Sequence, residues 1–182
     1  MADQRNSRAT NARVRAWLVF MLTATLLTPG GTGAQDLTAS ELKAAFIYNF
    51  IKFTEWPSAL PAADPFVICV IGDAAVGDAV EALTKGGDVD GRRMVALVKI
   101  SRPTPACRVL YVSGALDDVS RAIAGLQDSP VLTISDVAGF TQAGGIAQFL
   151  FERGRLRFTI KADAAQRSGL KMSSKLLVLG QR

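Results

Sequence analysis

The chain contains no histidine. That absence removes the commonest general base, the usual base of a Ser or Cys triad and the commonest zinc ligand in one step. Metal chemistry would have to rest on carboxylates, and these are scattered singly or as the neighbours Asp117 and Asp118, with no ligand cluster. Cysteine is scarce, with two residues and no CxxC motif, which counts against thiol exchange as the main activity. The GxGxxG and Walker spacings are missing too. Gly72-Asp-Ala-Ala-Val-Gly77 follows a strand candidate and opens a helix, and it reads as an ordinary strand-to-helix turn rather than a nucleotide site. The residue content therefore predicts no cofactor, no metal and no enzyme.

Long apolar runs are equally rare. The longest, Ala16 to Leu27, spans 12 residues, short of the roughly 20 that cross a bilayer as a helix. Arg5, Arg8, Arg13 and Arg15 precede it, and Pro29-Gly-Gly31 followed by Thr32-Gly-Ala34 comes after it. This is the three-part layout of a cleavable secretory signal, so residues 1–34 are read as a signal peptide cleaved after Ala34. Residues 35–182 are then one domain. Four of the 21 basic and one of the 16 acidic residues lie in the signal, which leaves 17 against 15, a net charge of +2. The basic balance of the whole chain is thus mostly a property of the signal, and nucleic acid is not an expected partner.

Export leads to a compartment that permits oxidation. There a structural disulfide between Cys69 and Cys107 is favoured over two free thiols. Cys69 lies within the strand-like run Phe66 to Ile71, and Cys107 immediately precedes Val109 to Val112, so the sulfurs meet if those strands are neighbours.

Periodicity orders the rest. Glu41 to Pro57 reads as a helix with apolar residues at Leu42, Ala45, Phe46, Phe50 and Phe53, stopped by Pro57, and Phe46, Phe50, Phe53 and Trp56 are expected to be core. Strand candidates follow at Phe66 to Ile71, Met94 to Ile100, Val109 to Val112 and Val131 to Ile134. Helical spacing separates some of them, at Val76, Val80 and Leu83 and at Leu116, Val119, Ile123 and Leu126, and Asp136 is read as capping a short helix ending near Gln142. Ile146 to Phe151 and Leu156 to Ile160 flank a Gly-containing turn and read as a hairpin, with Gln148 and Leu150 facing away from Ala147, Phe149 and Phe151. A tail helix over Ser173 to Leu179 would bury Leu176, Leu177 and Leu179. Alternating helices and strands predict an α/β fold: a helix-covered mixed sheet, mainly parallel, with a C-terminal antiparallel hairpin.

Two surfaces are candidates for function. Thr133, Ser135 and Asp136 lie at the carboxyl end of a central strand, where open α/β sheets form ligand crevices, and helix capping is the alternative role for Ser135 and Asp136. The hairpin carries Glu152, Arg153 and Arg155, with Arg157 in the same row; strand alternation would place the three arginines on one side. An exposed hairpin edge offers unpaired backbone and charge to a protein partner.

The string Tyr48-Asn-Phe-Ile-Lys-Phe-Thr-Glu-Trp-Pro57 resembles the signature of the YfiR family of periplasmic regulators. Phe66 to Gly72, Cys107 to Val112, Val131 to Asp136, Gly144-Gly-Ile146, Gly154 to Phe158, Gly169-Leu170 and Ser173 to Leu177 extend the similarity over nearly the whole of 35–182. The resemblance implies a non-enzymatic periplasmic protein of α/β fold, often a homodimer. The namesake restrains an inner-membrane diguanylate cyclase by binding its periplasmic part, and an outer-membrane lipoprotein can sequester it, which links the envelope to cyclic-di-GMP and biofilm formation. By analogy the partner here is the periplasmic part of a cyclase or sensor kinase. Lys161 stands where the family commonly has Asn, and the namesake's second cysteine pair near the hairpin is missing. A small-ligand binding protein using the crevice near Asp136 is the alternative.

Overall fold

Thr38 opens the first helix. Its hydroxyl accepts from the Glu41 N–H, and the Glu41 carboxylate accepts from the Thr38 N–H, a reciprocal cap that satisfies two otherwise orphan donors. The helix, α1, runs Ala39–Lys52 in the computed structural model, which describes residues 37–57 and 64–180. The expected signal peptide lies outside these residues.

The sequence predicts a helix as far as Trp56, but it stops at Lys52. Phe53 turns out of the helix, and Thr54–Glu55 form β1, paired antiparallel with β9, Lys171–Met172. The Ser173 N–H also donates to the Phe53 carbonyl at 2.9 Å. A tertiary pairing with the far end of the chain therefore ends the helix earlier than Pro57 requires.

The main sheet has seven strands: β2 (Phe66–Ile71), β3 (Asp88–Val89), β4 (Arg92–Leu97), β5 (Cys107–Val112), β6 (Leu132–Ser135), β7 (Ala147–Glu152) and β8 (Arg155–Ile160). Their spatial order is β3-β4-β2-β5-β6-β7-β8. Pairing is parallel from β4 through β7 and antiparallel at the two ends, β3 with β4 and β7 with β8. The mainly parallel sheet with a terminal antiparallel hairpin is as the sequence predicts. β4 begins and ends earlier than expected, and Val98 to Ile100 fall in the connection that follows.

Helices cover both faces. On one side α1, α2 (Ala74–Thr84), α4 (Ala162–Arg167) and α5 (Ser174–Leu179) enclose Phe50, Ile68, Val70, Tyr111, Ile134 and Phe149. On the other, α3 (Leu116–Ala124) packs Val119 and Ile123 over Val67, Leu110 and Val112, together with Cys69 and Cys107. The two cysteines are joined in a disulfide with Cα atoms 5.7 Å apart, across neighbouring strands β2 and β5. The expected bridge is therefore present.

Several local expectations change. Residues 136–145 form consecutive turns rather than a helix, with Phe140 fully buried among them. Phe53 is 44% exposed and Leu179 59% exposed, whereas Phe50 and Leu176 are core. Phe46 and Trp56 are partly buried, the first against Phe149 and Phe158 and the second edge-on to Phe66.

Candidate functional site

The parallel order, with the first strand β2 flanked by β4 on one side and β5, β6 and β7 in sequence on the other, places a topological switch between the carboxyl ends of β2 and β5. Gly72 leaves β2 there at φ 84°, and a Cβ on it would stand 1.9 Å from the Ser113 carbonyl oxygen. Only glycine lets the two strand ends close so tightly. The next residue, Asp73, caps α2: one carboxylate oxygen accepts from the Val76 N–H at 3.0 Å. A carboxylate already occupies the position where a helix N-terminus would hold an anion.

Across this crevice lies Lys43, a charge on the buried side of α1 with only 8% of its surface exposed. Its Nζ is 2.6 Å from Asp136 Oδ2 and 3.4 Å from Asp73 Oδ2, and 5.8 Å from the centroid of the Tyr111 ring. Burial alone would raise the Asp136 carboxyl; the hydrogen bond from Lys43 and the Lys43 charge outweigh it and hold the group below its ordinary 3.8. Tyr111 moves the other way. Burial, then the negative charge of Asp136 and Asp73, pushes its phenol well above the ordinary value. Among the described residues its hydroxyl, and Asp136 Oδ1 beside it, complete no hydrogen bond.

Lys43 is the residue that sequence reading missed. It stands four residues before Ile47 and seven before Phe50, on the most deeply buried stripe of α1. A charge at that spacing needs partners, and this was the available signal.

The sequence-predicted crevice residues are close by but engaged. Thr133 Oγ1 accepts from the Ile146 N–H at 3.0 Å, and Ser135 Oγ accepts from the Val137 N–H at 3.1 Å. Both hydroxyls tie the turns of 136–145 to the sheet, and Asp136 is held by Lys43. Ser135 and Asp136 come together with Asp73 at the strand ends, while Thr133 lies within β6 opposite Leu110. Beside the crevice a cavity of about 240 Å³ is lined by Val70, Asp73, Gly77, Asp78, Val98 and Lys99.

The hairpin differs in kind. Arg153 and Gly154 occupy its turn at φ 50° and 75°, both left-handed, the geometry of a type I′ two-residue loop. Glu152 and Arg155 are opposite each other, and Arg157 pairs with Leu150. Arg155, Arg157 and Thr159 share one exposed face, on the side of the sheet that carries α3, whereas Leu156 and Phe158 point toward α1 and are buried. Arg153 is in the turn, not in the strand row that alternation predicts. Glu152 Oε2 lies 4.0 Å from Arg157 Nε, both well exposed. Among the described residues β8 pairs with β7 alone, so its other edge is open. Glu152, Arg153 and Arg155 thus sit together at the tip of the hairpin, with their charged side chains exposed.

A family model described as YfiR/HmsC-like matches residues 40–181, which is nearly the full described chain and includes both the crevice and the hairpin. No curated protein matches the chain.

Proposed function

Because the chain belongs to the YfiR/HmsC-like family, we propose that it is an exported, non-enzymatic regulator that acts in the periplasm by capturing the periplasmic part of an inner-membrane signalling protein. The target is a diguanylate cyclase, or a sensor kinase, held in a restrained state, so that release raises cyclic-di-GMP and favours biofilm growth. The protein works as a homodimer, and an outer-membrane lipoprotein competes for it under envelope stress.

Family membership over residues 40–181 carries this reading. Two structural observations support it. The crevice spends most of its polar groups on its own chain, as in a structural lock, and the hairpin rim leaves Glu152, Arg153 and Arg155 directed at solvent.

Capture from membranes tests the reading. The purified protein, immobilised and mixed with detergent-solubilised inner membranes, should retain a cyclase or kinase with a periplasmic domain. Arg153→Glu with Arg155→Glu should weaken retention at low salt with little change in melting temperature, since surface substitutions typically alter stability by about 0.5 kcal/mol or less. Retention of no signalling protein by the wild-type chain overturns the proposal; undiminished retention by the double variant moves the docking surface away from the hairpin.

A further inference from the structure

The geometry of β8 points to a particular mode of capture, and we propose that its open edge accepts an extended segment of the partner as an additional strand bearing acidic side chains at alternate positions. The inference rests on the reading that this chain captures a protein.

Backbone parity defines the edge. A two-residue type I′ loop is closed by a hydrogen-bonded pair, here Glu152 and Arg155, so Arg155, Arg157 and Thr159 direct their backbone groups toward β7. The Lys161 N–H, next in the same parity, donates inward to the Ile146 carbonyl at 2.8 Å, as this assignment requires. Leu156, Phe158 and Ile160 therefore present their N–H and C=O groups to the outside. At the opposite end the terminal strand, β3, has two residues against six in β8.

Side chains set the selectivity. The residues whose backbones point outward bury Leu156 and Phe158 on the α1 side, while Arg155, Arg157 and Thr159 stand exposed on the other face. A strand added to this edge brings every second side chain alongside Arg155 and Arg157. Glu152 is the one acid of the hairpin on that face, and it lies beside Arg157, so Arg155 has no acidic partner among the described residues. A second copy of β8 laid antiparallel would bring two pairs of arginines together. Like charges facing across a ladder repel, so the row that keeps the edge from pairing with itself favours an acidic occupant.

The test uses the purified, oxidised protein and synthetic peptides of about eight residues, a usual strand length. One alternates Glu with Val, a second alternates Lys with Val, and a third is the Glu peptide with alternate backbone nitrogens methylated. Amide exchange read by NMR should slow at Leu156, Phe158 and Ile160 when the Glu peptide is added up to millimolar concentration. The Glu peptide should bind at least about tenfold more tightly than the Lys peptide, Arg155→Glu with Arg157→Glu should reverse that order, and methylation should abolish protection. Unchanged exchange at those three amides, or equal binding of the methylated peptide, overturns strand addition. So does binding of phosphatidylglycerol vesicles that needs the same arginines while none of the peptides protects the edge, which would make the row a lipid contact. If membranes yield a signalling partner but the edge amides stay unprotected in its complex, strand addition fails and the regulatory reading stands. If the edge takes the Glu peptide while membranes yield no partner, strand addition stands and the regulatory reading fails.

Discussion

At the scale of single residues, Lys43 sets the character of the crevice. Its ammonium neutralises two carboxylates from different strand ends while its own side chain is 10% exposed, so the three groups are mutually dependent. Lys43→Met keeps the apolar stem and removes the charge, leaving Asp73 and Asp136 facing each other; the expected loss is about 3 kcal/mol at neutral pH, the lower end for breaking a buried pair. Acid should narrow that gap. Asp136 has a depressed folded value, so its contribution is present above the unfolded value of 3.8 and disappears as pH falls through the folded one. Urea denaturation of both proteins at pH 7 and again well below pH 3.8 measures this: the difference should be large at pH 7 and small once Asp136 is protonated in the folded state. The constellation was only partly legible beforehand. Ser135 and Asp136 were identifiable as strand-end residues, but which cation would reach them depended on how α1 crosses the sheet, and periodicity carries no information on that crossing.

At the scale of elements, α1 shows how far helical spacing can be read. Phe46, Phe50 and Phe53 share a helical face on paper, yet the pairing of β1 with β9 unwinds the chain at Phe53 and swings its ring outward. Phe50 remains sealed against Phe149 and Phe158, with ring centroids 5.7 and 4.9 Å away. Phe50→Ala should therefore cost about 3 to 5 kcal/mol, whereas Phe53→Ala should cost under about 1 kcal/mol. Chemical denaturation midpoints separate the two. The strands and the hairpin were legible because short β-rich runs and a Gly-containing turn are local signals. Residues 136–145 were not, because hydrogen bonds from the Val137 and Ile146 N–H groups to the Ser135 and Thr133 hydroxyls hold them as turns. Those bonds exist only once β6 is in place.

At the scale of the whole molecule, the Cys69–Cys107 bridge lies apart from the hairpin proposed for docking. The bridge ties β2 to β5 in the middle of the sheet, while β8 lies at its edge with β6 and β7 in between. Two cysteines and an oxidising destination were enough to expect the bond, though not the strand order that lets it form. It closes a loop of 39 residues counted inclusively, which corresponds to about 4 kcal/mol in the chain-entropy model, a large part of the roughly 5 to 15 kcal/mol that holds a domain together. Reduced protein should thus melt well below the oxidised form. Docking should respond differently, because the hairpin is fixed by its own ladder and by Phe149 and Phe158 against α1. Cys69→Ser with Cys107→Ser should lower the unfolding free energy by about that 4 kcal/mol yet retain the proposed membrane partner as well as wild type at temperatures where both are folded. Paired unfolding and capture measurements decide the matter; parallel loss of both would mean that the sheet centre and the hairpin form one cooperative recognition unit.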